Sequence, residues 1–346
     1  MQLASNLPNY TRQTLSMKQH KQVKLLIINF LLIVFAACFS TNASAKNWSI
    51  SVSPILGLHI GKLGEYVFNK NADGEYKKLS QLNWEIKPIF HYGGQLAIAW
   101  KWLSLSAYGQ GCIPMRCGNM DDSDWLNLNS VKNIYSIHEN SLASSYSFGG
   151  TFAYTFRPQD TFALQFFCGI DYECIAMEAR NGYGWYGEGW NTAAVLEKGA
   201  WDGNGTKFYE KVAGIDYMRE TVRTWLGCGM EMKFINNRLS LTLSFSLSPY
   251  LYVQSLDHHY GNNKQHYNID IIHGVLSAYK PRALVVFNFN KNFSIFLDAS
   301  WIFSQIVQGK TYRALSVNTW NLLAAKGGAS FNYADISLGG TYRFAF

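Results

Sequence analysis

Two short runs carry the groups that could do chemistry. Gly118-Asn119-Met120-Asp121-Asp122-Ser123-Asp124-Trp125 puts three carboxylates in four positions, and Asp257-His258-His259-Tyr260 puts an imidazole two residues after a carboxylate. On an extended chain residues i and i+2 share a face. Asp122 and Asp124 then project to one side, as do Asp257 and His259. Asp257 can accept a hydrogen bond from one ring nitrogen of His259, which fixes the tautomer and makes the other nitrogen more basic. That second nitrogen can take a proton from a water held by Asp122. Asp124, beside Asp122, raises one carboxyl pKa by like-charge repulsion, and a proton shared there can serve a departing amine. Such a hydrolysis calls for no metal and no covalent nucleophile. His258, His259 and His266 match no standard zinc spacing, and no HExxH occurs. Taken singly, each run reads as a solvated polar loop or a weak cation site. At matching positions before long loops, the two together read as catalytic. His138 falls in a polar stretch and is given no role.

The elements that must hold these runs are strands. Leu239-Ser-Leu-Thr-Leu-Ser-Phe-Ser-Leu247 alternates apolar and polar residues without a break, as a half-buried strand does. The C-terminus repeats the pattern: Ala334, Ile336, Leu338, Tyr342, Phe344 and Phe346 on one face, Asp335, Ser337, Thr341 and Arg343 on the other. Compact turn signals stand at Arg157–Asp160, Asn236-Asn237 and Asn290–Asn292. Longer polar, Gly- and Trp-rich stretches lie between them, at Asn69–Tyr76, Asp121–Asn140, Asn181–Lys211, Asp257–Asn268 and Gln308–Lys326. Short turns at one end and long loops at the other are the asymmetry of an outer-membrane barrel. The breaks give about ten strands, an even number as bacterial barrels have. The expected fold is therefore all-β: a ten-stranded antiparallel transmembrane β-barrel with long extracellular loops and short periplasmic turns. A soluble β-sandwich is the alternative, but its loops would not segregate by end.

Composition supports a barrel. Phe, Trp and Tyr make up 16% of the 346 residues, Gly numbers 29 and Pro only 7. Mean hydropathy is near zero, as strands with one lipid face and one wet face require. The net charge of +7 is too diffuse to argue for nucleic acid, but it could favour anionic lipid headgroups. Residues 1–45 read as a signal peptide. Lys18, Lys21 and Lys24 form a basic region, Leu25–Ala37 an apolar one, and Ala43-Ser44-Ala45 a cleavage site, with Met17 a possible true start. A transmembrane helix and a lipoprotein signal at Cys38 are the competing readings. The apolar run is short for a span, and Phe35 suits a lipoprotein signal poorly. Residues 46–346 then form one barrel domain. It holds Cys112, Cys117, Cys168, Cys174 and Cys228, an odd number that rules out complete pairing. Cys112 and Cys117 either close a small loop or serve as small apolar residues.

Across the whole mature chain the sequence resembles the omptin family of outer-membrane aspartate-type proteases. Gly118-Asn119-Met120 with Asp122, Asp124 and Trp125 matches one catalytic motif of the family; Asp257, His259 and Tyr260 match the other. Gly61-Lys62 to Phe68 and Leu79–Trp84 resemble its first loop and second-strand entry. Ile215-Asp216-Tyr217 falls near its substrate-lining strand. The resemblance implies catalysis by Asp122, Asp124, Asp257 and His259, with substrate met by Glu65, Ser255, Met120 and Ile215. It also implies a groove open to the outside of the outer membrane, no cofactor beyond lipopolysaccharide as an activating lipid, peptide or protein substrates, and cleavage next to basic residues. A monomer is expected. Two positions depart from the family. Where its second pocket acid belongs stands Ser255, which implies a weaker or altered preference at the residue before the cut. Its lipopolysaccharide strand motif falls on Ile170, Tyr172 and Cys174 and is missing in that register. The alternative function is an inactive barrel of the same fold, acting as an adhesin or invasin through its loops. A porin ranks third, because a passive pore has no use for the paired acids and histidine.

Overall fold

The computed structural model describes residues 48–126, 131–187, 207–209, 214–260, 265–315 and 319–346. The leader of residues 1–45 lies outside them. Six strands run unbroken through most of the barrel height: β1 (Trp48–Lys70), β2 (Tyr76–Trp100), β5 (Ile134–Gln159), β6 (Phe162–Tyr186), β8 (Ile215–Phe234) and the last strand, β15 (Asn321–Ala345). Four others are interrupted midway. β3 (Leu103–Cys112) continues as β4 (Met115–Asp124), β9 (Leu239–Ser248) as β10 (Leu251–His259), β11 (His266–Gly274) as β12 (Ala278–Asn288), and β13 (Phe293–Ser304) as β14 (Val307–Ala314). β7 (Lys207–Tyr209) is a short extra strand on β6. With each interrupted pair taken as one stave, ten antiparallel staves close on themselves. The seam is β1 against β15, from Ser49 opposite Ala345 to Phe68 opposite Lys326.

Two of the interruptions fall at Pro114 and Pro249, which cannot donate to the ladder. A third falls where Leu276 adopts a positive φ of 50°. Ile113, Val275 and Ile306, all at interruptions, are exposed. The breaks therefore fall near the level where the apolar outer wall gives way to a polar one.

Burial on β9 is inverted from that of a water-soluble strand. Leu243 and Phe245 are exposed, whereas Ser240, Ser246 and Ser248 are buried. β15 does the same, with Ile336, Leu338 and Tyr342 outward and Ser337 buried. A wall of exposed leucine and phenylalanine around a polar interior is stable only in lipid, so the soluble sandwich is excluded. Turns at the membrane-side end are short. Asn236 and Asn237, with φ of 53° and 65°, make one of them, and Asn290 Oδ1 accepts from the backbone N–H groups of Asn292 and Phe293 in another.

At the opposite end the strands reach further than polarity alone indicates. β4 runs to Asp124, β5 starts at Ile134, β10 runs to His259 and β11 starts at His266. Much of the expected loops Asp121–Asn140 and Asp257–Asn268 is thus paired sheet. Above the lipid both faces are wet, so apolar alternation fades while the backbone keeps pairing. His138 is corrected with them: it sits buried on β5, with Nε2 3.0 Å from Ser136 Oγ. Cys112, Cys117, Cys168, Cys174 and Cys228 are all free thiols, so Cys112 and Cys117 close no loop.

Inside the barrel, a charged network crosses the lumen. Arg223 donates from Nε to Asp171 Oδ1 at 2.7 Å and from Nη1 to Tyr333 Oη at 3.1 Å, with Glu173 Oε2 3.1 Å away. Trp225 Nε1 donates to Asp171 Oδ2, and Tyr333 Oη donates to Glu173. These residues come from β6, β8 and β15, so the network fastens separate walls together.

Candidate active site

The two chemical runs occupy opposite walls at the polar end. On one wall Glu65 of β1 lies opposite Leu82 of β2, which lies opposite Asp122 of β4. One step down, Leu63, Trp84 and Met120 form the next inward row. On the other wall Asp257 of β10 lies between Tyr217 of β8 and Asn268 of β11, Ser255 between Arg219 and Asp270, and His259 between Ile215 and His266.

An aromatic contact brings the walls together. The rings of Trp84 and Tyr217 stack with centroids 5.0 Å apart at 13°, although β2 and β8 are not neighbours in the sheet. Both are fully buried, with Met120 and Met177 around them in the same apolar core. Trp84 belongs to the row just beneath Asp122, and Tyr217 is the cross-strand partner of Asp257. The stack therefore forms a floor at the level where the acids begin. Above it, the His259 imidazole is close enough to Asp124 to lower its carboxyl, and Glu65 feels the charges of Asp257, Asp270 and Asp122.

The dyad is direct. His259 Nε2 and Asp257 Oδ2 are 2.5 Å apart, and Asn268 Nδ2 donates to the same oxygen at 3.0 Å. Arg313 Nε donates to Asn268 Oδ1 at 2.8 Å, so the amide that steadies Asp257 is itself held. With Nε2 bonded to Asp257, Nδ1 is the ring nitrogen available as a base. His266 stacks on His259 at 4.6 Å and 9°, which limits ring rotation. Burial pushes the Asp257 carboxyl up, but His259 and Asn268 outweigh it and hold the group below its usual range.

On the facing wall Ser80 Oγ donates to Asp122 Oδ1 at 3.1 Å. Burial raises the Asp124 carboxyl to about 6, against the opposing pull of Ser80 and His259. Glu65 is held well above the normal glutamate range, first by burial and then by Asp257 and Asp270; the bond that Trp84 Nε1 donates to Glu65 Oε2 at 3.2 Å offsets only part of this.

The structure adds residues that sequence reasoning missed. Asp270 lies opposite Ser255 and accepts its hydroxyl at Oδ2, 3.3 Å away, while Thr311 Oγ1 donates to Oδ1 at 2.6 Å. Burial, with Asp257 next, raises the Asp270 carboxyl to about 7. A carboxyl group thus stands beside Ser255 on the next strand. Sequence spacing could not reveal this, because the pairing of β10 with β11 fixes it. Parity along β11 was the one available signal: Asn268 and Asp270 share a face. Arg219 is the other addition. It is fully buried below the acids, donates from Nη1 to the Ser330 carbonyl oxygen at 2.9 Å, and has no partner for Nε or Nη2 among the described residues. Of the two remaining lining residues, Met120 is fully buried in the floor and Ile215 is buried beside His259. Tyr260 stands at the rim, where its hydroxyl and Arg180 both bond Asp216.

Five carboxyl groups gather in this groove with the His259 and His266 imidazoles and the Arg219 guanidinium, and their crowding and burial hold protons on some of them. The groove can orient water and accept a cation.

Comparison with known proteins agrees with this architecture. A family model described as the Omptin family matches residues 45–344. The plasminogen activator of Yersinia pestis is 34% identical over 84 residues, which are 23% of this chain and 25% of that protein, so the match spans about a quarter of the relative's length. The crystal structure of the outer membrane protease OmpT from Escherichia coli aligns with a TM-score of 0.70 and 18% identity, covering 88% of this chain and 99% of that one. At that identity the structural likeness speaks for the fold. With the family model spanning nearly all of the barrel, the chain belongs to the omptin family and is a bacterial outer-membrane protein.

Proposed function

We propose that this barrel is an outer-membrane endopeptidase that cuts peptides or proteins next to basic residues. The observation that carries the reading is the Asp257–His259 pair on one wall, with Asp122 and Asp124 on the wall that the Trp84–Tyr217 stack draws toward it. A water held between Asp122 and His259 gives a proton to Nδ1 of His259 as its oxygen attacks the peptide carbonyl carbon. Asp257 stabilises the imidazolium that forms. As the C–N bond breaks, the departing amine takes a proton from His259 or from the Asp122–Asp124 pair. The raised carboxyl of Asp124 supports the latter, since an acid near pH 6 can hold and release a proton at working pH.

Glu65 and Asp270 are the specificity groups of this reading. Their carboxyls are held up by burial and by one another's neighbours, so an entering guanidinium or ammonium would relieve that repulsion. With Asp270 beside Ser255, the pocket retains two acids, and a basic preference follows despite the serine. Lipopolysaccharide as an activating partner and a monomeric state belong to the same reading. Tyr172, one of the positions of the missing lipid motif, bonds Glu220 of β8 at 2.6 Å, which supplies an acid there from the neighbouring strand.

The test is to refold residues 46–346 with and without lipopolysaccharide and offer a quenched peptide library to the wild type, His259→Ala and Asp122→Ala. Turnover in the wild type that disappears in both variants supports the proposal. Turnover that survives both would sink it, and a folded wild type that cleaves nothing would favour the adhesin alternative.

A further inference from the structure

A second cluster of titratable side chains lies in the lumen, well away from the groove. His59 of β1 precedes Glu65 by six residues, about 20 Å along the strand, and faces Asp335 of β15 directly across the closing seam. His59 Nε2 is 2.9 Å from Asp335 Oδ2, and His91 Nε2 of β2 is 3.6 Å from Asp335 Oδ1. One ligand atom from each of the three residues lies within 4.8 Å of the other two. The two imidazoles are 4.6 Å apart. Cys112 of β3, the cross-strand partner of His91, is a buried free thiol beside this trio but not part of it.

His91 is the informative member. Its side chain is wholly buried, yet among the described residues Nδ1 has no hydrogen-bond partner and Nε2 meets only the Asp335 carboxylate, at a long 3.6 Å. Buried polar groups are rarely left so. Space has been made for this ring, since a Cβ at Gly57 would lie 2.5 Å from His91 Nε2. Asp335 is oriented from its other side by Ser337 Oγ, which donates to Oδ1 at 2.6 Å, as outer-shell groups orient metal-binding carboxylates.

We infer that His59, His91 and Asp335 form a zinc site that clasps the barrel seam, with water in the fourth position. Two imidazoles and a carboxylate are the donor set of a borderline ion with tetrahedral geometry; calcium or magnesium would want oxygens alone. Tetrahedral bonds of about 2.0–2.2 Å place ligand atoms roughly 3.3–3.6 Å apart, and a cluster whose three ligand atoms all lie within 4.8 Å of one another reaches that spacing by small side-chain shifts. Zinc would enter as the proton between His59 and Asp335 leaves, which makes loading pH-dependent. The ion would tie β15, β1 and β2, the three staves around the point where the first and last strands meet. This site is independent of the proteolytic reading, and its test reads metal rather than turnover.

Refolded mature chain in detergent is stripped with a chelator, dialysed against micromolar zinc, and assayed for bound metal and thermal unfolding. About one zinc per chain is expected, with a rise in unfolding temperature that the chelator reverses. Cobalt(II) should give the intense visible spectrum of a tetrahedral site. Because alanine at His91 risks a packing defect, the paired variant is His91→Gln with Asp335→Asn, its strand content checked by circular dichroism. Binding on the order of 100-fold weaker or more is expected there. A wild type that keeps under about a tenth of an equivalent overturns the inference. So does a folded paired variant that binds zinc as well as the wild type.

Discussion

The lumen network and the outer groove use the same residue types to opposite ends. In the network Arg223 is bonded to Asp171 and Tyr333 and faces Glu173, Trp225 takes the remaining oxygen of Asp171, and Lys280 lies within electrostatic reach. Charges balance there, and donors meet acceptors. In the groove Glu65, Asp122, Asp124, Asp257 and Asp270 outnumber His259, His266 and Arg219, and Arg219 has two nitrogens without a partner among the described residues. A satisfied network rigidifies a fold; an unsatisfied one costs stability and persists where something else completes it. The contrast suits the network to holding the barrel and, on the proposed reading, the groove to meeting a cationic substrate.

The sharpest break in this comparison is between His259 and Arg223. His259→Ala should leave strand content unchanged, cost far less in unfolding than loss of Arg223 because Asp257 keeps its bond from Asn268, and lower kcat about 100- to 10,000-fold, the usual worth of a positioned general base, as read with a quenched peptide. Arg223→Met should do the reverse. It leaves Asp171 and Glu173 buried without their cation and should cost about 3–5 kcal/mol in denaturant unfolding, while turnover per folded molecule stays close to wild type. Equal losses of stability in the two variants would erase the distinction.

Next in size is Asp270→Asn. Removing one partner of a buried charge contact costs about 2 kcal/mol or more, so kcat/KM for a peptide with arginine before the cut should fall on the order of 30-fold. A peptide with a neutral residue there should be little affected. An unchanged ratio between the two peptides would return the specificity role to Ser255.

A smaller effect is expected in pH dependence. Folded Asp124 and Asp270 titrate at about 6 and about 7, against 3.8 for a free aspartate, and Glu65 is raised as well. Between pH 4 and 7 the folded barrel thus binds more protons than the unfolded chain, and its stability declines as pH rises through that window. Asp257 has the opposite sign, but its contribution is lost only as pH falls below the usual carboxylate range. Denaturation midpoints taken across this range should drop toward pH 7 in the wild type and drop less in Asp270→Asn. Equal slopes would show that Asp270 does not carry the effect. Smallest of all, Trp84→Phe keeps a ring against Tyr217 and removes the donor to Glu65. It should cost about 1 kcal/mol.

How much of this was legible in the sequence depended on whether local periodicity or strand pairing decided the feature. Leu239–Leu247 and the C-terminal alternation disclosed the barrel, because lipid imposes a strict two-residue period. The i, i+2 spacing disclosed Asp257 with His259, because one strand holds both. Above the lipid that period is lost, so strand ends around Asp124 and His266 read as loops and His138 as a polar loop residue. Asp270, Arg219 and the Trp84–Tyr217 floor depend on which strands pair and which walls approach. His59 and Asp335 are 276 residues apart and meet only because the barrel closes.

The central claim is that the groove's cluster of carboxyl groups serves a cation beside the bond that the Asp257–His259 pair cuts. Two peptides identical except for arginine or citrulline before the scissile bond keep the shape and change only the charge. The measurement is kcat/KM for each with the wild type, cleavage sites fixed by mass spectrometry and His259→Ala as control. The account predicts cutting next to arginine, at least about tenfold slower cutting next to citrulline, and none by the variant. Equal rates on both peptides, or cleavage that persists in His259→Ala, would contradict it.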